Sequence, residues 1–132
     1  MKVVKELTFD AAHMLSNYQG KCNNLHGHTY RVLVELEGPQ VADMVMDFNI
    51  IKKYFDKFDH AIIFAGVNAQ EQAERDLYYW AYTNNKKYYV MPPQQRPTAE
   101  NMAELFKKEL TMPPMEVSFV KVWETPNAYA EA

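Results

Sequence analysis

The sequence has little of what several classes of protein depend on. It contains a single cysteine in 132 residues, so an intramolecular disulfide is excluded. It has no excess of basic residues, because 14 Lys and Arg against 17 Asp and Glu leave a net charge of −3, and no overall positive field attracts nucleic acid or an anionic membrane. Its apolar runs are far shorter than the ~20 residues that cross a bilayer. We therefore expect a cytoplasmic protein without a nucleic-acid or membrane partner.

What is present is typical of an ordinary globular core. Hydrophobic residues make up 48% of the chain, which is too many for a disordered segment. The N-terminal segment MKVVKELTFD alternates apolar and polar residues, which is typical of a strand and not of a signal peptide. The length fits one domain, and we predict a single domain over residues 1–132.

Two periodicities divide the chain into elements. A period of two predicts strands over residues 3–11, 28–37 and 115–124. Apolar residues at three- and four-residue steps predict helices over 48–58 and 99–110. Neighbouring strands can pair as a small antiparallel sheet with the helices on one face, which is an α+β layer. The open edges of such a sheet have to be covered or paired with another subunit.

Candidate N-caps mark the starts of both predicted helices, and the middle of the chain has no single periodicity. Asp47 and Thr98 stand where N-caps belong, and Glu100 falls in the first turn of the second helix. The segment 61–97 is less regular. It contains a possible helix at 69–85 and a short strand at 86–91, followed by the proline-rich PPQQRP.

The stretch KCNNLHGHTY, residues 21–30, holds the only cysteine and two of the four histidines. His26 and His28 are two residues apart at the start of a strand, so their side chains point to the same side. His13 follows the first strand and could approach them. Three imidazoles around one zinc with an open fourth position is a catalytic arrangement, whereas Cys22 as a fourth ligand would close the site and make it structural. His13 taken alone is more simply a surface or core histidine.

Two further groups are suited to proton transfer. Cys22 lies among polar, loop-like neighbours, and a nearby cation such as zinc or Lys21 would lower the pKa of its thiol and make it a base or nucleophile. Asp59 and His60 place an acid beside a histidine, which suits a proton relay. The same dipeptide is also common on solvated surfaces.

The motifs FDAAH, KCNNLHGHTY, MDFNIIKK, FDH, PTAEN and WETPNAYA occur in an order that resembles the 6-pyruvoyl-tetrahydropterin synthase superfamily nearly end to end. The spacing C-x-x-x-H-G-H resembles the 6-carboxy-tetrahydropterin synthase branch, which serves bacterial queuosine biosynthesis. This resemblance implies that His13, His26 and His28 bind Zn²⁺ and that Cys22 is the general base.

The resemblance also assigns residues outside the histidine-rich stretch. It implies that Asp59 and His60 are the relay partners of the base, and that Glu124 anchors the guanidine-like edge of a pterin and takes part in the charge relay. It places Thr98 and Glu100 in the pterin pocket. From the residues alone, Glu124 would be a surface glutamate before a turn, and the other two would serve the start of a helix.

The implied fold is the tunnelling fold, with a four-stranded antiparallel sheet and two helices on one face. Subunits of this fold join through sheet edges into a barrel, which implies a homo-hexamer of two trimers with active sites between subunits. The implied reaction converts 7,8-dihydroneopterin triphosphate to 6-carboxy-5,6,7,8-tetrahydropterin with loss of triphosphate and acetaldehyde. Alternatives are a 6-pyruvoyl-tetrahydropterin synthase, a related dihydroneopterin lyase, or a non-catalytic zinc- or pterin-binding module.

The segment 61–97 is longer and richer in aromatic residues than the compact family pattern. It could form a lid, cover a barrel edge or build a subunit contact. We interpret its aromatic cluster as packing residues: Tyr78, Tyr79, Trp80 and Tyr82.

Overall fold

The protein is described by a computed structural model that covers residues 1–132, and the α+β class is confirmed. The helices are α1 (Phe48–Phe55), α2 (Gln72–Thr83) and α3 (Ala99–Leu110). The strands are β1 (Lys2–His13), β2 (His26–Glu37), β3 (Ala61–Phe64), β4 (Tyr88–Val90), β5 (Glu116–Thr125) and β6 (Ala128–Glu131). None of the helices is long and apolar enough to cross a membrane.

The prediction of four antiparallel strands and two helices is wrong. The structure has six strands and three helices, and some neighbouring strands run parallel. Six strands form one sheet in the order β4-β3-β1-β2-β5-β6. β5 runs antiparallel to β2 and β6, but β3 runs parallel to both β1 and β4. Parallel neighbours need a crossover connection, and α2 provides it between β3 and β4. The extra length of the segment 61–97 therefore builds a βαβ unit.

The chain forms two compact units, and β1 and β2 contribute residues to both. The first unit consists of Met1–Thr8, Tyr30–Asp56 and Ala99–Ala132, and the second of Phe9–Thr29 and Lys57–Thr98. The assignment of one domain to residues 1–132 stays a prediction.

In the first unit, the core follows the predicted periodicities. Alternate residues of β2 from Tyr30 to Leu36 are buried, and α3 buries its predicted apolar face. The Asp47 side chain caps α1 by accepting a hydrogen bond from the Asn49 N–H at 2.8 Å. The rings of Phe55 and Phe106 meet edge to face at 4.9 Å, which joins α1 to α3.

In the second unit, α2 packs through a narrow face. Tyr78 lies against Phe64 and Tyr88, with ring centroids 5.5 and 5.2 Å apart. The packing interpretation is thus confirmed for Tyr78. It is wrong within this chain for the rest of the cluster, because Tyr79, Trp80 and Tyr82 are 69%, 47% and 62% exposed.

Candidate metal centre and active site

Three histidines come together where β1 ends and β2 begins. His13 is the last residue of β1, and His26 and His28 are the first and third residues of β2. Because residues two apart in a strand point to the same side, the two β2 rings face His13 together. One ring nitrogen from each histidine lies within 4.8 Å of the other two, and the ring centroids are 4.7 to 5.1 Å apart. The structure therefore brings the three predicted ligands into one cluster.

Backbone carbonyls fix the tautomers of two of these rings. His13 Nδ1 lies 2.7 Å from the carbonyl oxygen of Pro97, and His26 Nδ1 lies 2.7 Å from that of Asn24. A carbonyl oxygen can only accept, so each Nδ1 carries the hydrogen and each neutral ring keeps a lone pair on Nε2. In metal-binding histidines, a hydrogen bond from the ring nitrogen that does not bind the metal orients the ring in this way.

The two lone pairs point at the same place. The Nε2 atoms of His13 and His26 are 3.1 Å apart. Neither can donate to the other while both rings are neutral, so their contact is repulsive without a cation between them. Zn–N bonds of about 2.0–2.1 Å in a tetrahedral site put neighbouring nitrogens about 3.3–3.4 Å apart. The donor type and the spacing thus fit zinc.

Burial keeps two of these rings in the form that binds metal. The pKa of His13 falls from 6.5 to about 4, chiefly because the ring is buried and with smaller contributions from His26 and His28, against the opposite effect of the Pro97 hydrogen bond. Burial also lowers the pKa of His28, with a smaller contribution from His26. Neutral imidazole is the form that ligates, so the fold removes competition from protons at neutral pH.

Cys22 is outside the histidine cluster. It lies on a single 3₁₀ turn, Lys21–Asn23, and its side chain is half-buried. Its backbone carbonyl accepts a hydrogen bond from the Leu15 N–H at 2.9 Å, which closes the loop between β1 and β2. Cys22 belongs to neither of the two groups whose ligand atoms converge, one of which is the three histidines. This arrangement leaves the thiol available for a role other than ligation.

Asp59 and His60 form a hydrogen-bonded pair directly before β3. Asp59 Oδ2 lies 3.0 Å from His60 Nδ1. Asp59 Oδ1 accepts the backbone N–H of Asp10 at 3.0 Å, and the His60 N–H donates to the Asp10 carbonyl at 2.6 Å. The Asp10 N–H, followed by His60 and then Lys87, holds the pKa of Asp59 below its usual range. An ionised Asp59 is suited to orient the His60 ring by accepting a hydrogen bond from Nδ1.

The backbone at His60 is unusual. Its φ is 57°, in the left-handed region that non-glycine residues rarely adopt. The Lys87 ammonium donates to the Asp59 carbonyl at 2.6 Å, next to this turn. Contacts with β1 on one side and with the residue before β4 on the other thus hold the histidine in place.

Asp10 was not predicted as a site residue, although it lies in the FDAAH motif. Its carboxylate accepts a hydrogen bond from the Thr29 hydroxyl and lies within 4.8 Å of the ligand atoms of Asp59 and His60. Asp10, His28, Thr29 and His60 all line one cavity of about 440 Å³. A small molecule in this cavity would meet a predicted metal ligand and the Asp59–His60 pair together.

In the first unit, Glu100 and Glu124 line a cavity of about 160 Å³. Glu124 is half-buried near the end of β5, and its charge adds to the burial that raises the pKa of the Tyr30 hydroxyl. Two carboxylates in one cavity suit a ligand edge that carries several N–H donors. Thr98 is not among the residues that line it.

Comparison with known proteins agrees with these observations. Residues 2–132 match the family described as 6-pyruvoyl tetrahydropterin synthase. A 6-carboxy-5,6,7,8-tetrahydropterin synthase from Haemophilus influenzae is 36% identical over 98% of this chain and 96% of its own length. An uncharacterised Wolinella succinogenes protein has a similar fold, with a TM-score of 0.71 at 22% identity over 100% of this chain and 97% of that one. The 6-pyruvoyl tetrahydropterin synthase of Plasmodium vivax gives a TM-score of 0.67 at 20% identity over 100% and 96%. The chain therefore belongs to the 6-pyruvoyl tetrahydropterin synthase family.

Proposed function

We propose that this protein converts 7,8-dihydroneopterin triphosphate to 6-carboxy-5,6,7,8-tetrahydropterin, with release of acetaldehyde and triphosphate. As a member of its family it is an enzyme, a lyase that acts on a pterin. The proposal places its product in bacterial queuosine biosynthesis, as its resemblance to the 6-carboxy-tetrahydropterin synthase branch implies. The observation that carries the proposal is the contact between His13 and His26, whose Nε2 lone pairs meet at 3.1 Å in the same cluster as His28, which lines a cavity.

His13, His26 and His28 hold the metal. When bound, Zn²⁺ supplies Lewis-acid chemistry by polarising oxygen atoms of the substrate side chain. Burial favours the neutral, ligating form of His13 and His28 by lowering the pKa of each ring, and the backbone carbonyls of Pro97 and Asn24 orient the rings of His13 and His26. With three protein ligands, a bound zinc would keep a coordination position for substrate, as in other catalytic zinc sites.

Proton transfer falls to side chains outside the cluster. The substrate loses triphosphate and a two-carbon fragment, so protons have to leave carbon and return to it. Cys22 is the general base, which requires its thiolate form. His60 moves the second proton, and Asp59 orients its ring through the 3.0 Å contact to Nδ1. Asp10 supports that pair through its backbone N–H and carbonyl groups.

Recognition of the pterin ring rests on carboxylates. Glu124 accepts two parallel hydrogen bonds from the adjacent N–H donors of the ring, a geometry that favours a charged acceptor. It also takes part in the charge relay. Glu100 lines the same cavity and adds a second acceptor. Thr98, which directly precedes α3, also contributes to recognition of the pterin ring.

The assembly we propose is a homo-hexamer of two trimers in the cytoplasm, with active sites between subunits. β4 and β6 are the edge strands of the sheet. Their unpaired backbone groups can extend the sheet into a neighbouring subunit, which would remove both open edges and close a barrel.

Product analysis tests the reaction. Purified, zinc-loaded protein is incubated with 7,8-dihydroneopterin triphosphate and all products are identified by mass, with the Cys22→Ala variant as the control. We expect acetaldehyde and a 6-carboxy pterin in equal amounts from the wild type only. Formation of 6-pyruvoyl-tetrahydropterin without acetaldehyde would move the chain to the other branch. Absence of turnover, with sulfur bound to the metal, would identify a closed zinc module.

A further inference from the structure

Glu74, on α2, is a fully buried acid that the proposed chemistry does not use. Its Oε1 accepts the backbone N–H of Ala65 at 2.7 Å, and its Oε2 accepts the hydroxyl of Ser16 at 2.7 Å. The Ser16 oxygen in turn accepts the Glu71 N–H at 3.4 Å, so its own hydrogen is available for Glu74. Burying a carboxylate is costly unless its oxygens are hydrogen-bonded, and here both are.

One partner of Glu74 leads to the cysteine. Ser16 lies in the loop that joins β1 to β2, next to Leu15. The Leu15 N–H donates to the carbonyl of Cys22 at 2.9 Å, which makes Cys22 the opposite side of the same closed loop. A displacement of Ser16 would therefore pass to Cys22 through one peptide unit and one hydrogen bond.

The other partner leads to the sheet. Ala65 directly follows β3, and β3 pairs with β1 on one side and β4 on the other. The Glu74 carboxylate thus joins the loop that carries Cys22 to the end of a strand that is held on both sides.

We propose that Glu74 is a positioning residue, which holds the Cys22 loop against β3 through Ser16 and so sets the placement of the thiol. The proposal rests on the proton-transfer role proposed for Cys22. It also assigns a role to the longer segment 61–97, because α2 in that segment carries Glu74. Catalysis is sensitive to such placement, since a displacement of about 1 Å can reduce turnover by about a hundredfold.

The test follows the accessibility of the thiol as well as turnover. Cys22 is the only cysteine, so alkylation of the zinc-loaded protein by iodoacetamide reports on that position alone. Ser16→Ala removes the loop contact and leaves the Ala65 contact of Glu74 in place. We expect its alkylation rate to rise about fivefold, the equivalent of one lost hydrogen bond of ~1 kcal/mol. We also expect kcat to fall by about tenfold or more with KM nearly unchanged and zinc still bound at wild-type stoichiometry.

Variants of Glu74 separate positioning from general stability. Glu74→Met has a similar shape and no hydrogen bonds, so it should reproduce the Ser16→Ala effects. Glu74→Gln can still accept from Ala65 and donate to Ser16, so it should restore most of the wild-type alkylation rate and kcat. The double variant Ser16→Ala/Glu74→Met should show no larger change in alkylation than either single variant, because each single variant already removes the Ser16–Glu74 contact.

Matched controls are available in the chain. Ser118→Ala changes the only other serine, and Asp76→Asn neutralises an exposed acid on the same helix. Both should alkylate at the wild-type rate. An unchanged alkylation rate in Ser16→Ala, or an equal rise in the controls, would overturn the positioning role. Because alkylation needs no substrate, this result is independent of whether the proposed reaction occurs.

Discussion

His13 Nε2 and His26 Nε2 lie 3.1 Å apart with their lone pairs facing each other, because each ring donates its Nδ1 hydrogen to a backbone carbonyl. Hydrogen bonding cannot satisfy this contact. A divalent cation can, and the remaining histidine of the cluster completes a three-nitrogen site.

Removal of one ring should therefore remove the metal. We expect His28→Ala to lower zinc affinity by about a hundredfold or more, since even the loss of an outer-shell partner costs about 10–100-fold. Zinc titration with a competing chelator measures the change. His60→Asn is the control, because asparagine tolerates the left-handed backbone at that position and His60 is outside the cluster. Equal zinc affinity in His28→Ala and wild type would contradict the assignment.

Cys22→Ala should keep zinc and lose turnover. Its side chain is not among the converging ligands, and general acid–base groups typically contribute about 10²–10⁴-fold to rate. Zinc content by elemental analysis and product formation by mass spectrometry are measured on the same sample. If the variant loses its zinc, the thiol is a ligand and its role as base is excluded.

Glu124→Gln should weaken pterin binding by about tenfold or more, because one of the two parallel hydrogen bonds becomes a neutral one and the amide NH2 cannot accept the other. Calorimetric titration with 7,8-dihydroneopterin measures this without turnover, and zinc stoichiometry should stay unchanged. Glu104→Gln, an exposed acid on α3, is the matched control. Wild-type affinity in Glu124→Gln would remove Glu124 from the pterin site.

The metal-free protein should lose stability as the pH falls from 7 to 4. The pKa of His13 falls from 6.5 to about 4 on folding because the ring is buried, so between these values only the unfolded chain takes up the proton. The free energy of unfolding therefore rises with pH across this window. The stabilisation from the buried neutral His13 ring is complete above pH 6.5 and lost near pH 4. It amounts to at most about 3 kcal/mol, at 1.36 kcal/mol per pKa unit.

Urea denaturation of chelator-treated protein at a series of pH values measures this dependence. His13→Gln has a side chain of similar length that does not titrate, so its stability should change less over the same range. Parallel pH dependences for the two proteins would show that the His13 ring is not the group responsible.

Elements with a long, clear periodicity were predictable from sequence. β1, β2, α1, α3 and β5 were located within a few residues, because each has a repeated apolar face and several have a recognisable start, such as Asp47. β3 and β6 were not, since a segment of four residues is too short for a periodicity that distinguishes strand from helix. Their existence depends on neighbours that are distant in sequence.

In the candidate site, too, the residues brought together by local strand geometry were predictable, and those brought together by distant segments were not. The spacing of His26 and His28 alone indicates that they share a side, because strand geometry is local. The importance of Asp10 is not local. It arises because β3 pairs in parallel with β1, which places Asp59 and His60 beside the Asp10 backbone. Glu74 was missed for the same reason, since its partners Ser16 and Ala65 come from two other segments.

The parallel alignment of Ala11 with Ala61 has a further effect on how this protein acquires activity. Slippage of β3 along β1 by one residue would turn every side chain of the short strand to the opposite face. The His60 hydrogen bond to β1 would then also be misaligned. Activity therefore depends on correct pairing of the four-residue strand β3 with β1. A substitution that disturbs this pairing would lower activity as the loss of a catalytic side chain does, although every catalytic side chain is still present.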